Sequence, residues 1–66
     1  MEIHINNQIK NINAETIQQL MDIELPEKQK GVAVAVNNSV VPKKEWSSHK
    51  LNPNDSVLII KATQGG

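Results

Sequence analysis

The chain contains no cysteine, no arginine, no phenylalanine and no tyrosine, and Trp46 is its one large aromatic side chain. Each absence removes a class of function. Without thiols there is no disulfide scaffold, no cysteine-built zinc site and no sulfur nucleophile. Seven lysines are matched by seven acids, so the basic stripe of a nucleic-acid binder is missing, as is the aromatic platform on which bases stack. No apolar run approaches the roughly 20 residues needed to span a bilayer. Met1-Glu2-Ile3-His4 shows no cationic segment followed by an apolar one, so no signal peptide is expected and the cytoplasm is the expected compartment. Glycine is scarce, three in all, and none stands in a phosphate-cradling pattern, so no ATP site of its own is expected. His4 and His49 lie far apart in sequence and read as solvated side chains rather than metal ligands. Nucleic acid, membrane, metal and bound cofactor are thus all expected to be absent from this chain's own chemistry.

What is present is a small amount of aliphatic material, arranged with clear periodicity. Sixty-six residues, 38% hydrophobic, support one small core and a single domain over residues 1–66. Ile3 and Ile5 alternate with polar neighbours, Asn6-Asn7-Gln8 supplies a turn, and Ile9 and Ile12 suggest a returning strand, which together predict a β-hairpin. Thr16 followed by Gln19 fits a capping box, and Ile17, Leu20 and Met21 at i, i+3, i+4 form the apolar stripe of a helix that ends before Pro26. Glu27 to Lys30 reads as a charged connection, and Gly31 as a turn residue. Val32-Ala33-Val34-Ala35-Val36 predicts a central strand, its valines in the core and its alanines against a close neighbour. Val40-Val41, stopped by Pro42, predicts a short edge strand, and Lys43 to Lys50 a helical turn and loop in which Trp46 plugs the core. Asn52-Pro53-Asn54-Asp55 is a dense turn signal before a last strand over Val57 to Ala62. Two matches to the glycosylation acceptor pattern, at Asn37 and Asn54, read as turn chemistry. The order predicts an α+β roll, a mixed four- to five-stranded sheet packed on one main helix, with the first and last strands side by side at its centre.

The chain then closes on Gln64-Gly65-Gly66. Frayed ends are common, but two consecutive glycines are a sub-percent coincidence at an average usage of about 7%. A tail from about residue 63 that ends in two glycines is thin enough to enter a channel, and its carboxylate is the one group with reactive potential. On the last strand, Leu58 and Ile60 share the face opposite Val57 and Ile59, which marks them, with Gln64, as candidates for partner docking. No carboxylates are spaced for acid–base catalysis, so the chain is not expected to be an enzyme.

The run Val36-Asn37-Asn38-Ser39-Val40-Val41-Pro42-Lys43-Lys44-Glu45-Trp46 resembles the (V/I)-N-x-x-(I/V)-V-P-(R/K)-x-x-W segment of the ThiS family, sulfur carriers of thiamine biosynthesis. Leu51 with Asn54-Asp55-Ser56-Val57 is similar to that family's L-x-x-G-D-x-(V/I), and Gly65-Gly66 to its terminus. Asn54 replaces the usual glycine, and Thr63-Gln64 is more polar than is common. The resemblance implies a ubiquitin-like β-grasp fold. It further implies that the Gly66 carboxylate, ionised because α-carboxyls titrate at about 3.3–3.7, is adenylated with ATP by a ThiF-type adenylyltransferase. A persulfide sulfur then makes it a thiocarboxylate, which supplies ThiG, the thiazole synthase; Gly65 gives access. The small subunit of molybdopterin synthase, a carrier for tRNA thiolation and a ubiquitin-like protein modifier share the fold and the Gly-Gly end and stay open as alternatives. An interaction module with incidental glycines stays open too.

Overall fold

The computed structural model describes residues 1–26 and 31–61. The charged connection of residues 27–30, Ala62 and the tail over 63–66 lie outside the described residues. Strands β1 (Glu2–Ile5), β2 (Gln8–Asn11), β3 (Val32–Val36), β4 (Ser39–Val41) and β5 (Ser56–Lys61) form one sheet in the order β2-β1-β5-β3-β4, with helix α1 (Ile17–Glu24) crossing between the second and third. β1 and β5 pair in parallel at the centre and every other pair is antiparallel, so the expected roll and its expected central pair are both present.

Asparagine closes both hairpins. Asn6 and Asn7 have φ of 49° and 69°, Asn37 and Asn38 of 51° and 73°. Two successive left-handed residues make the hairpin turn whose twist matches that of its strands, and asparagine tolerates the conformation through local side-chain bonding. Asn54 does the same before β5, at φ 70°, and Gly31 before β3, at 72°.

Helix α1 starts where its capping residues direct it. The Thr16 hydroxyl accepts the Gln19 N–H at 3.2 Å, while the Gln19 side-chain oxygen accepts from the Glu15 N–H at 2.7 Å, one residue earlier than a reciprocal capping box requires. The Ile17 and Gln18 N–H groups donate to the His49 and Trp46 carbonyls at 3.1 and 3.0 Å. The polar stretch after β4, with its 3₁₀ turn Lys43–Glu45, therefore serves as a backbone cap for the helix. Leu25 ends the helix by donating to the Met21 carbonyl at 2.7 Å.

Ile17, Leu20 and Met21 of α1 pack on Ile3, Ile5, Val34, Val36 and Val57 of the sheet, and Trp46 and Leu51 close one side of this core. Trp46 is 1% exposed, and its indole N–H donates to the Val41 carbonyl at 3.0 Å, which satisfies the one polar atom it buries. The reading of Trp46 as core is correct. The alanines of β3 differ from expectation. Ala33 is exposed, and Ala35, though buried, is not a member of the core cluster. Among the described residues no element lies over their face, and Ala35 is shielded by its cross-strand partners Leu58 and Val40.

Candidate functional site

The expected site residues divide into two groups. Gly66, Gly65 and Gln64 lie outside the described residues. Leu58 and Ile60 are on β5, each 47% exposed, on the side of the sheet away from α1. Period-two alternation puts Val57 inward at 1% exposure and its neighbour Leu58 outward.

Register completes the surface around them. Leu58 pairs with Ala35, and Ala35 with Val40 on its other side, so these three form one row across three strands. Ile60 pairs with Ala33 in the next row, toward the end of β5. Val40 is 70% exposed and had not been singled out. Val41 is buried in the core at 6% exposure, and alternation turns its neighbour Val40 outward. Ile9, 63% exposed, lies at the opposite edge, where it pairs with His4 and His4 with Ser56, so polar side chains separate it from the Leu58 row. The outcome is an open apolar face in which alanines form a shallow floor between larger side chains. Exposed contiguous patches of this kind mark interaction surfaces.

The start of β5 is clamped from two directions. Asp55, 9% exposed, accepts the Asn37 side-chain N–H at 3.0 Å and the Asn52 backbone N–H at 2.8 Å. Asn37 in turn accepts the Ser56 N–H at 3.0 Å through its side-chain oxygen and donates its own N–H to the Ser56 carbonyl at 2.7 Å. The two sequence segments that carry the family resemblance thus meet, and what they supply is structural: they fix where β5 enters the sheet. No buried side-chain nitrogen or oxygen among the described residues lacks a partner.

No group of three or more potential metal ligands occurs among the described residues. His4 and His49 are both half-buried rather than solvated as expected. A shallow groove of about 160 Å³ runs beside the second half of β5, lined by Asn6, Gln8, Lys10, Glu24, Leu25, Ile59 and Lys61 among others. Lys10 and Glu24 pair across it at 3.1 Å. It holds no nucleophile and no paired carboxylates. No helix among the described residues is long and apolar enough to cross a membrane. Among the described residues, the feature that stands out is the open apolar face of Leu58, Ile60 and Val40.

A family model described as the ThiS family matches residues 3–66. The sulfur carrier protein ThiS of Escherichia coli (strain K12) is 31% identical over 67 residues, a match that covers 100% of both chains. The crystal structure of a thiamine biosynthesis protein (ThiS) from Geobacter metallireducens superposes with a TM-score of 0.84 at 19% identity, covering 100% of each chain. A solution structure of a thiamine biosynthesis protein from the same organism gives 0.80 at 16% identity, covering 100% of this chain and 88% of that one. At such identities these two structures speak for the fold, which is the β-grasp.

Proposed function

The chain belongs to the ThiS family, and from that premise we propose how its tail and its open face divide the work. It is a sulfur carrier of thiamine biosynthesis. The observation that carries this reading is the family match over residues 3–66, which runs through Gly65 and Gly66. The chain acts as a co-substrate, and its partners supply the catalytic groups.

The Gly66 carboxylate is resonance-stabilised and negatively charged, which makes it a poor electrophile. A ThiF-type adenylyltransferase supplies the ATP site: a carboxylate oxygen attacks the α-phosphate, pyrophosphate leaves, and the carbonyl acquires AMP as a leaving group. The terminal sulfur of a persulfide then attacks that carbonyl and expels AMP. A second thiol cleaves the sulfur–sulfur bond, ending as one half of a disulfide and leaving the thiocarboxylate on Gly66. ThiG, the thiazole synthase, accepts that sulfur. The need for ATP and reduced thiols places this work in the cytoplasm. Glycine at 65 and 66 lets the chain end pass between the partner's catalytic groups without side-chain clash.

Leu58 and Ile60, with Val40 beside them, form the docking surface, and Gln64 contributes from the tail. The support is their exposure on one open apolar face at the end of the strand that leads into the tail. The test is intact-mass spectrometry after incubation with the adenylyltransferase, ATP, a persulfide donor and a thiol. The loaded chain gains about 16 Da, one oxygen exchanged for sulfur, and the chain lacking Gly66 gains nothing. An unshifted mass in the intact chain under conditions that load a known carrier would refute the reading.

A further inference from the structure

β5 starts opposite His4, the third residue of β1, and runs on after β1 has ended. The last parallel pair is Ile5 with Val57, whereas β5 continues to Lys61. Beyond Val57 its β3-facing edge stays paired, up to Val32 opposite Lys61, while its other edge has lost its neighbour because the chain turns at Asn6. At that point Asn6 makes two bonds. Its backbone N–H donates to the Val57 carbonyl at 3.0 Å. Its side-chain oxygen accepts the Ile59 N–H at 2.8 Å, across 53 residues of sequence.

In a parallel ladder the Ile59 N–H would be met by a main-chain carbonyl of β1. Asn6 has left the strand, at φ 49°, so its amide oxygen stands in for that carbonyl. One residue thus does two separable things: it occupies a left-handed turn position, and it extends two-sided bonding of β5 one step toward the tail. Ile59 lies between Leu58 and Ile60. Fixing its N–H fixes the twist of the strand between these two exposed side chains.

We propose that Asn6 is a positioning residue for the carrier's docking face, holding Leu58 and Ile60 in one fixed arrangement through its bond to Ile59 between them. The proposal rests on the carrier reading for its consequence, and on the hydrogen bond alone for its cause. Without the bond, the second half of β5 is held on one edge only and samples twists that disturb the surface Leu58 and Ile60 offer to a partner.

Three variants separate the two roles. Asn6→Gly keeps the left-handed turn at no steric cost and removes the acceptor. Asn6→Asp keeps both. Asn7→Gly alters the other left-handed position of the same turn and serves as the control. Two readouts are taken well below the unfolding temperature: amide hydrogen exchange at Ile59 in the isolated chain, and kcat and KM of the adenylyltransferase with the chain as substrate. In Asn6→Gly the Ile59 amide exchanges about fivefold faster, the weight of one intramolecular hydrogen bond. KM rises by a similar factor while kcat stays within about twofold, since the chemistry at the bound carboxylate is unchanged. Asn6→Asp restores both values, and Asn7→Gly changes neither. An Asn6→Gly chain with wild-type KM, or one whose Ile59 exchange matches that of Asn7→Gly, overturns the proposal. If the wild-type chain is not adenylated at all, the carrier reading fails, and the exchange at Ile59 still decides whether Asn6 holds the strand.

Discussion

The two faces of the sheet are made by the same strands and differ by a shift of one residue. On β3 and β5 the inward set is Val34, Val36 and Val57, each no more than 5% exposed and covered by α1. The outward set is Ala33, Ala35, Leu58 and Ile60, with Val40 beside them and no described element above. The inward residues are β-branched and interlock with a helix stripe. The outward ones alternate small and large, which leaves relief on the surface instead of a filled layer. Folding free energy comes from the first set. The second set is uncovered by any described element, so the proposed docking role and the stability of the core rest on alternate residues, and the two are expected to change independently.

Trp46→Ala should have the largest effect on the inner side. It empties the closed flank of the core and removes the indole bond to the Val41 carbonyl, at a cost of about 3–5 kcal/mol. A single core in a chain of 66 residues rarely supplies more than about 3–5 kcal/mol, so urea titration should show the variant near or past its midpoint. A loss below about 1 kcal/mol would mean that the core does not depend on this flank. Asp55→Ala comes next. It leaves the Asn37 side chain and the Asn52 N–H without their acceptor, a cost of about 1–3 kcal/mol, visible as a lower denaturant midpoint with an unchanged slope. Thr16→Ala removes the hydroxyl that accepts from Gln19 and should cost about 1 kcal/mol, read as a drop in thermal midpoint.

Leu58→Ser should be the smallest on this scale, within about 0.5 kcal/mol of the parent. On the other face's own measure it should be large, weakening binding to the adenylyltransferase by about 1 kcal/mol or more in calorimetry. If Leu58→Ser instead destabilised the fold as much as Asp55→Ala, the separation of the two faces would be lost.

Much of this was legible in local pattern. Ile3 and Ile5, the stripe of Ile17, Leu20 and Met21, and the run Val32 to Val36 are short-range periodicities, and periodicity is imposed by backbone geometry before any tertiary contact forms. The turns at Asn54 and Gly31 were legible from residue type, since asparagine and glycine tolerate the left-handed conformation both adopt. Misread was the alanine side of β3. Alternation says that Ala33 and Ala35 share a face, but only the completed sheet says whether another layer lies on it. Val40 and Ile9 were passed over as candidates because each belongs to a strand too short for its alternation to stand out. The Asp55–Asn37 clamp was visible as two motif segments, yet nothing in their separate spacing says that they bond to each other.

The sequence by itself determined the element order, the buried stripe, the turn positions and, through its family signature, the carrier role and Gly66 as the proposed carrying group. Those follow from residue-level preferences and from a motif read in one dimension. The tertiary structure decided which face of the sheet stays open, which strands border β5, and that β1 stops short of its end. These depend on where chains of unequal length come to lie beside one another. The bond from Asn6 to Ile59 belongs to that second class: it exists because one strand ends before its neighbour does, and an amide side chain is long enough to reach across the difference.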